Sequence, residues 1–184
     1  MKKQAMMMAL LSAGLIGQSA HAMPSTATLE WTGFVPGVFN GSDIGLTGQG
    51  GGDIQAGVLK IEEDGAFTAL RPVVVEAHEM IDTSVTQDGS QMEPGPGLYD
   101  GDVVWSLLDT SVTHTAYDAA TDITITMNGT DLVKGTPVTT TTGNHIATFG
   151  ADSAAPTAGG SVVPGDSVAV QAVIMAAPST GGVL

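Results

Sequence analysis

The chain contains no cysteine, and only five of its 184 residues are Lys or Arg. Without thiols there can be no disulfide framework, thiolate zinc site or cysteine nucleophile. So few cations cannot form a basic patch that follows a phosphate backbone, which excludes nucleic-acid binding. Aromatic residues make up 4% of the chain, too few for a carbohydrate-stacking platform. Beyond residue 22 no apolar run is long enough to cross a bilayer.

The first 22 residues read as a secretory signal. "MKK" supplies the positive start, "AMMMALLSAGLIG" the apolar run, and "QSAHA" a small-residue site with Ala20 and Ala22 in an A-x-A arrangement. The run is too short to span a bilayer and no stop-transfer flank follows it. The expected mature chain starts at Met23 and has 162 residues. Lys2 and Lys3 leave with the signal, so Lys60, Arg71 and Lys134 face 19 acids, a net charge of about −16. Such a surface also repels anionic lipid headgroups.

The mature chain is rich in Gly, Thr, Val and Ala, a composition that suits strands and turns over helices. In "TATLEWTG", Ala27, Leu29 and Trp31 alternate with Thr28, Glu30 and Thr32, the period of a half-buried strand. "GVFNGSDIGLTGQGGGD" reads as a Gly-rich connection. "AGVLKIEEDGAFTALRP" predicts two strands joined through Asp64-Gly65. "VVVEAH" opens another strand, and the prolines and glycines of "QDGSQMEPGPG" predict a loop. "DVVWSLLD" predicts a buried strand around Trp105. "DITITMNGTDLVKG" alternates through Ile123, Ile125 and Met127 and turns at Asn128-Gly129. "HIATFG" is short, "ADSAAPTAGGSVVPG" reads as a small-residue loop, and "DSVAVQAVIMA" places Val168, Val170, Ala172 and Ile174 on one face of a last strand. Seven to nine short strands separated by turn signals predict one all-β domain, an antiparallel β-sandwich. The expected boundaries are a signal peptide over 1–22, an N-terminal strand over 23–36, the sandwich over 37–176 and a flexible tail over 177–184.

Motifs for chemistry are sparse. "HEMID" opens like the zinc-protease helix motif, but its fifth residue is Asp82 and its context is a strand, so it reads as a polar strand edge. "GQGGGDIQA" is one imperfect copy of a calcium-binding nonapeptide that works only in stacked copies, so it reads as a mobile loop. Glu62, Glu63 and Asp64 lack EF-hand spacing and read as a solvated hairpin tip. No G-x-S-x-G elbow is present, and His78, His114 and His145 sit in unrelated contexts. The Asn-x-Thr sequon at Asn128 falls on the predicted turn. No catalytic residue, metal site or cofactor is predicted, and the chain does not read as an enzyme.

The order of a signal peptide, an alternating apolar strand close behind it and a Thr/Gly/Val-rich sandwich resembles the subunits of bacterial chaperone–usher fimbriae. "ATLEWTG" looks like the Ala-Thr-Trp opening of common-pilus-type pilins, and "FNGSDIG", Phe39 to Gly45, like stretches of other enterobacterial fimbrial subunits. The chain departs from many members in lacking a disulfide and in ending on a Gly/Ser tail. The resemblance implies an immunoglobulin-like sandwich short of one strand, completed by donor-strand exchange with the N-terminal extension of another subunit. It also implies a periplasmic chaperone, an outer-membrane usher and a place on the cell surface in adhesion. Ala27, Leu29, Trp31, Gly33 and Val35 share the face that would enter a neighbour's groove. The same alternation suits the first strand of the chain's own sandwich, and a self-contained secreted sandwich binding a ligand or calcium at its acidic loops stays open beside it. N-terminal sequencing of the exported protein should begin at Met23 or within a few residues of it; an intact apolar start would overturn the export expectation.

Overall fold

In the computed structural model the described residues are 39–40, 43–83, 92–141, 143, 145–156 and 160–179. Almost every regular element in them is a strand: β1 Phe39–Asn40, β2 Ile44–Thr47, β3 Val58–Ile61, β4 Phe67–Arg71, β5 Val73–Asp82, β6 Met92–Leu98, β7 Val103–Val112, β8 Ile123–Met127, β9 Thr130–Asp131, β10 Val138–Thr140, β11 Ile146–Ser153 and β12 Val170–Pro178. A single 3₁₀ turn, Gln49–Gly51, follows β2. The fold is all-β and sandwich-like, with every strand pair antiparallel.

Nine strands form a large sheet and β10, β7 and β12 a small one. The large sheet curls because two of its strands change neighbours along their length. β5 pairs with β11 through Val73–Glu76, and β6 then takes over the same edge from His78 to Asp82. At the fork, the Ala77 N–H donates to the His145 carbonyl and its carbonyl accepts from Tyr99 N–H. β11 likewise pairs with β5 and then, at Ser153, with β4, while β8 lies along its other edge.

The core lies between the sheets. Val103, Trp105 and Leu107 of β7 meet Ile44, Val75, Ala77, Ile125, Met127, Ala147 and Phe149 of the large sheet. Alternation produces this: every second residue of β7 points inward, and Trp105, with no exposed surface, sits in T-shaped contact with Phe149 at 5.8 Å between ring centroids. Its indole N–H donates to Thr140 Oγ1 of β10 at 3.0 Å, so the polar edge of the ring is also satisfied. A second cluster, Phe67, Ala116 and Tyr117, fills the other end and joins the first through Ile123, Ala151 and Val170.

The two predicted hairpins are present. Gly65 and Gly129 both take positive φ in their turns, and Asn128 joins Gly129 there, as a tight two-residue turn demands. Four local expectations are corrected. Ile44–Thr47 is a strand rather than part of a connection: Ile44 is buried in the core, and β2 is paired to β5. "MEPGPGL" is strand β6 rather than loop. Among the described residues β6 pairs only with β5, so Pro94 and Pro96 lie on an edge strand, where a missing N–H is tolerated, and the register slips beside them between His78 and Met80. β11 runs on through Ala151–Ser153, and β12 through Ala177–Pro178, past the boundary expected for the tail.

Trp105→Ala removes the largest fully buried side chain among the described residues and one of the hydrogen bonds of Thr140. It should cost about 3–5 kcal/mol in denaturant unfolding, and unfolding like the parent's would show that β7 does not anchor the core.

Candidate functional site

β12 is a long strand that, like several others, has one neighbour among the described residues. It pairs with β7 along its whole length, and among the described residues nothing pairs with its other edge. Which backbone groups face that edge follows from two bonds. Thr113 N–H donates to the Ala169 carbonyl and Ser179 N–H to the Asp102 carbonyl, so odd-numbered residues turn their amides toward β7. Antiparallel alternation then points the N–H and C=O groups of Val170, Ala172, Ile174 and Ala176 to the open edge. Pro178 has no N–H and ends that row.

Side chains tell the same story. Val170, Ile174 and Ala176 pack against the core but stay only half-buried. On the outer face Val173 and Met175 are 52% and 43% exposed, beside an exposed Leu108 on β7. β12 also lies near β2, so its open edge borders the seam where the small sheet meets the large one. Between Val173 and Ile174 the register skips Leu108, a bulge in the neighbouring β7. An unpaired, apolar strand edge of this kind is a template for another strand.

A second feature lies on the outer face of the large sheet. Val75 and Ala77 of β5 point into the core, so Glu76 and His78 point the other way, yet both are buried, at 6% and 3% exposure. Glu76 Oε2 accepts from Gly50 N–H at 3.0 Å, Gly51 N–H at 3.2 Å and His78 Nε2 at 3.0 Å. His78 Nδ1 lies 2.8 Å from the Gly95 carbonyl of β6 and must donate to it, because a carbonyl only accepts. Burial pushes the Glu76 carboxyl up, but the Gly50 N–H, the His78 ring, the Gly51 N–H and the His78 charge outweigh it, holding the group below its ordinary value. Gly50 and Gly51 both have positive φ, which lets the turn aim consecutive N–H groups at one oxygen. The expected mobile loop is thus tied to β5, and the expected polar strand edge at His78 is a buried position in mid-sheet.

The other histidines lie apart. His145 is fully buried; its Nδ1 is 3.1 Å from Thr140 Oγ1, and its Nε2 is without a partner among the described residues. His114 Nε2 donates to Asp166 Oδ2 at 3.1 Å, and its Nδ1 accepts from Ala116 N–H, so both nitrogens are occupied in joining two loops. Glu62 pairs with Lys60 at 2.6 Å on the surface, and Asp64 caps its own turn by accepting from Ala66 N–H. No helix among the described residues is long and apolar enough to cross a membrane.

The five residues singled out from the sequence, Ala27, Leu29, Trp31, Gly33 and Val35, lie outside the described residues. The open edge of β12 and the Glu76–His78 pair were not singled out. The second had a signal: an acid and a histidine two apart on the polar face of a β-branched strand, with a Gly-rich segment upstream. Compared with known proteins, the chain matches no family model and no curated sequence.

The edge geometry has a direct test in residue-resolved hydrogen exchange. In the chain with nothing added to β12, amides of Ala172, Ile174 and Ala176 should exchange about tenfold or more faster than those of Gln171, Val173 and Ala177. Equal protection of both sets would show that a strand already lies on that edge.

Proposed function

We propose that this chain is a structural subunit of a surface fimbria, exported through the periplasm and polymerised by donor-strand complementation in support of cell adhesion. The observation that carries the reading is the edge of β12 that is unpaired among the described residues, with a row of amides and carbonyls above half-buried apolar side chains. The donor is the segment Thr26–Val35 of another copy or another subunit, with Ala27, Leu29, Trp31, Gly33 and Val35 entering the seam. A periplasmic chaperone would cover the same edge before assembly, and an outer-membrane usher would order the exchange.

The energies are adequate. Fully burying a Leu- or Val-sized side chain gives about 1.5–3 kcal/mol, so Leu29, Trp31 and Val35 offer roughly 5–9 kcal/mol gross. Each ladder bond adds on the order of 1 kcal/mol. The N–H groups of Ala172, Ile174 and Ala176 set the register, and Pro178 ends the row of donors.

A second reading has a specific basis. Residues 23–36 lead directly into β1, and β1 pairs with β2 at the seam, so the same segment could fold back on its own β12. One comparison separates the two. In the first reading the mature chain alone polymerises or folds poorly, and moving Met23–Val35 to follow β12 through a flexible linker gives a stable monomer, because the tether presents the strand at about millimolar concentration. Trp31→Asp, or Ala172→Pro at an edge-facing N–H, should stop polymerisation without unfolding that monomer's core. A stable, cooperative full-length monomer that unfolds when Met23–Val35 is deleted would overturn the fimbrial reading.

A further inference from the structure

The Glu76–His78 pair has no role in strand addition, and its hydrogen bonds constrain where protons can be. His78 Nδ1 carries a proton because it meets the Gly95 carbonyl. Its Nε2 meets Glu76 Oε2 at 3.0 Å. If neither atom bore a proton, two lone pairs would face each other in a buried site. One proton therefore lies on the Nε2–Oε2 axis, and with the Glu76 carboxyl held below its ordinary value the arrangement is that of a carboxylate accepting from the ring N–H. That carboxylate is the acceptor that holds the Gly50 and Gly51 N–H groups.

We propose that Glu76 and His78 form a proton-gated latch that closes the Gly-rich loop, Gly48 to Asp53, over the outer face of the large sheet. The latch joins three pieces of chain: the loop through Gly50 and Gly51, β5 through the pair itself, and β6 through the Gly95 carbonyl. The loop has little else to hold it. Beyond the latch it has Gly48 N–H to the Gly52 carbonyl, Gly51 N–H to the Gly48 carbonyl, and the Thr47 hydroxyl and Gln55 amide donating to the Gly48 and Asp53 carbonyls at its two ends, while Gln49 to Asp53 are all exposed. An ideal Cβ on Gly51 would lie 4.0 Å from the His78 ring, so the turn sits directly over the imidazole.

The charged groups on the elements packed around the pair are all acids. The loop carries Asp53, Asp43 precedes β2, β6 carries Glu93, and β5 itself adds Glu79 and Asp82; the paired part of β11, Ile146–Phe149, has none. No Lys or Arg stands on any of these elements, so His78 is the one cation available to Glu76 among them.

The sign of the response follows. The folded-state Glu76 carboxyl is held below its ordinary value, so its stabilisation is complete above the unfolded value and is lost as pH falls through the folded one. A second proton, placed on Glu76, turns a charged acceptor into a neutral acid and weakens both loop bonds. The loop then lifts from the His78 ring, beside which Gly51 sits.

The test is hydrogen exchange by mass spectrometry on the mature chain in whatever assembly state it takes, corrected for the pH dependence of intrinsic exchange. Peptides covering 47–56 should lose about tenfold or more protection between pH 7 and pH 3, while peptides covering β7 hold theirs. Glu76→Gln should show the low loop protection already at pH 7 and respond no further to acid. A loop whose protection falls only in step with β7, or a Glu76→Gln chain with the parent's protection and pH response, would overturn the latch. If Glu76→Gln does not fold, the parent's loop-against-β7 comparison decides alone. The readout is local to the loop, so the latch stands or falls separately from the fimbrial reading.

Discussion

A strand buried on both faces has no surface on which a polar side chain can go without a partner, and β5 carries two such residues. Its inward face, Val75 and Ala77, helps build the core against Trp105 and Leu107 of the opposite sheet. Its outward face must then supply and receive every hydrogen bond that Glu76 and His78 need, because an unpaired buried charge costs several kcal/mol. The Gly-rich turn and the Gly95 carbonyl meet that demand. β2, β6 and β11 all pair to β5, so the requirements of this one strand fix where three others run.

The contrast with β12 is physical. β5 is paired on both edges and, through Val75–His78, buried on both faces; among the described residues β12 is paired on one edge and half-covered on its inner face. Both are apolar, long and antiparallel to their neighbours. The proposed association between chains rests on this difference in coverage among the described residues more than on any side-chain chemistry.

Period-two alternation made much of the fold legible. It located β7, β8 and β12, and the Asp64-Gly65 and Asn128-Gly129 pairs located the two hairpin turns, because positive φ restricts those positions to few residue types. What misled was local composition. Pro94 and Pro96 look like loop residues, yet an edge strand tolerates them; the glycines around Ile44 and Leu46 concealed a strand that pairing to β5 stabilises. Neither is visible without knowing the neighbour. The candidate site was harder still, since an open edge is defined by what is not beside it, and alternation reads the same for a strand with one neighbour or two. Glu76 and His78 carry a local pattern, but their burial depends on a loop some 25 residues away in sequence.

The few cations have a consequence for encounters between molecules. Lys60 and Lys134 are each engaged with a carboxylate on their own chain, Glu62 and Asp109, and Arg71 donates to the Ala56 carbonyl. Such short-range pairs leave the long-range field of the surface acidic. Two copies approaching each other therefore repel once they come within about a Debye length, about 10 Å at 0.1 M salt. Association of this chain with itself should speed up as ionic strength rises, the reverse of encounters steered by opposite charges. A dilute medium then keeps copies apart, and a saline one lets apolar edges find each other.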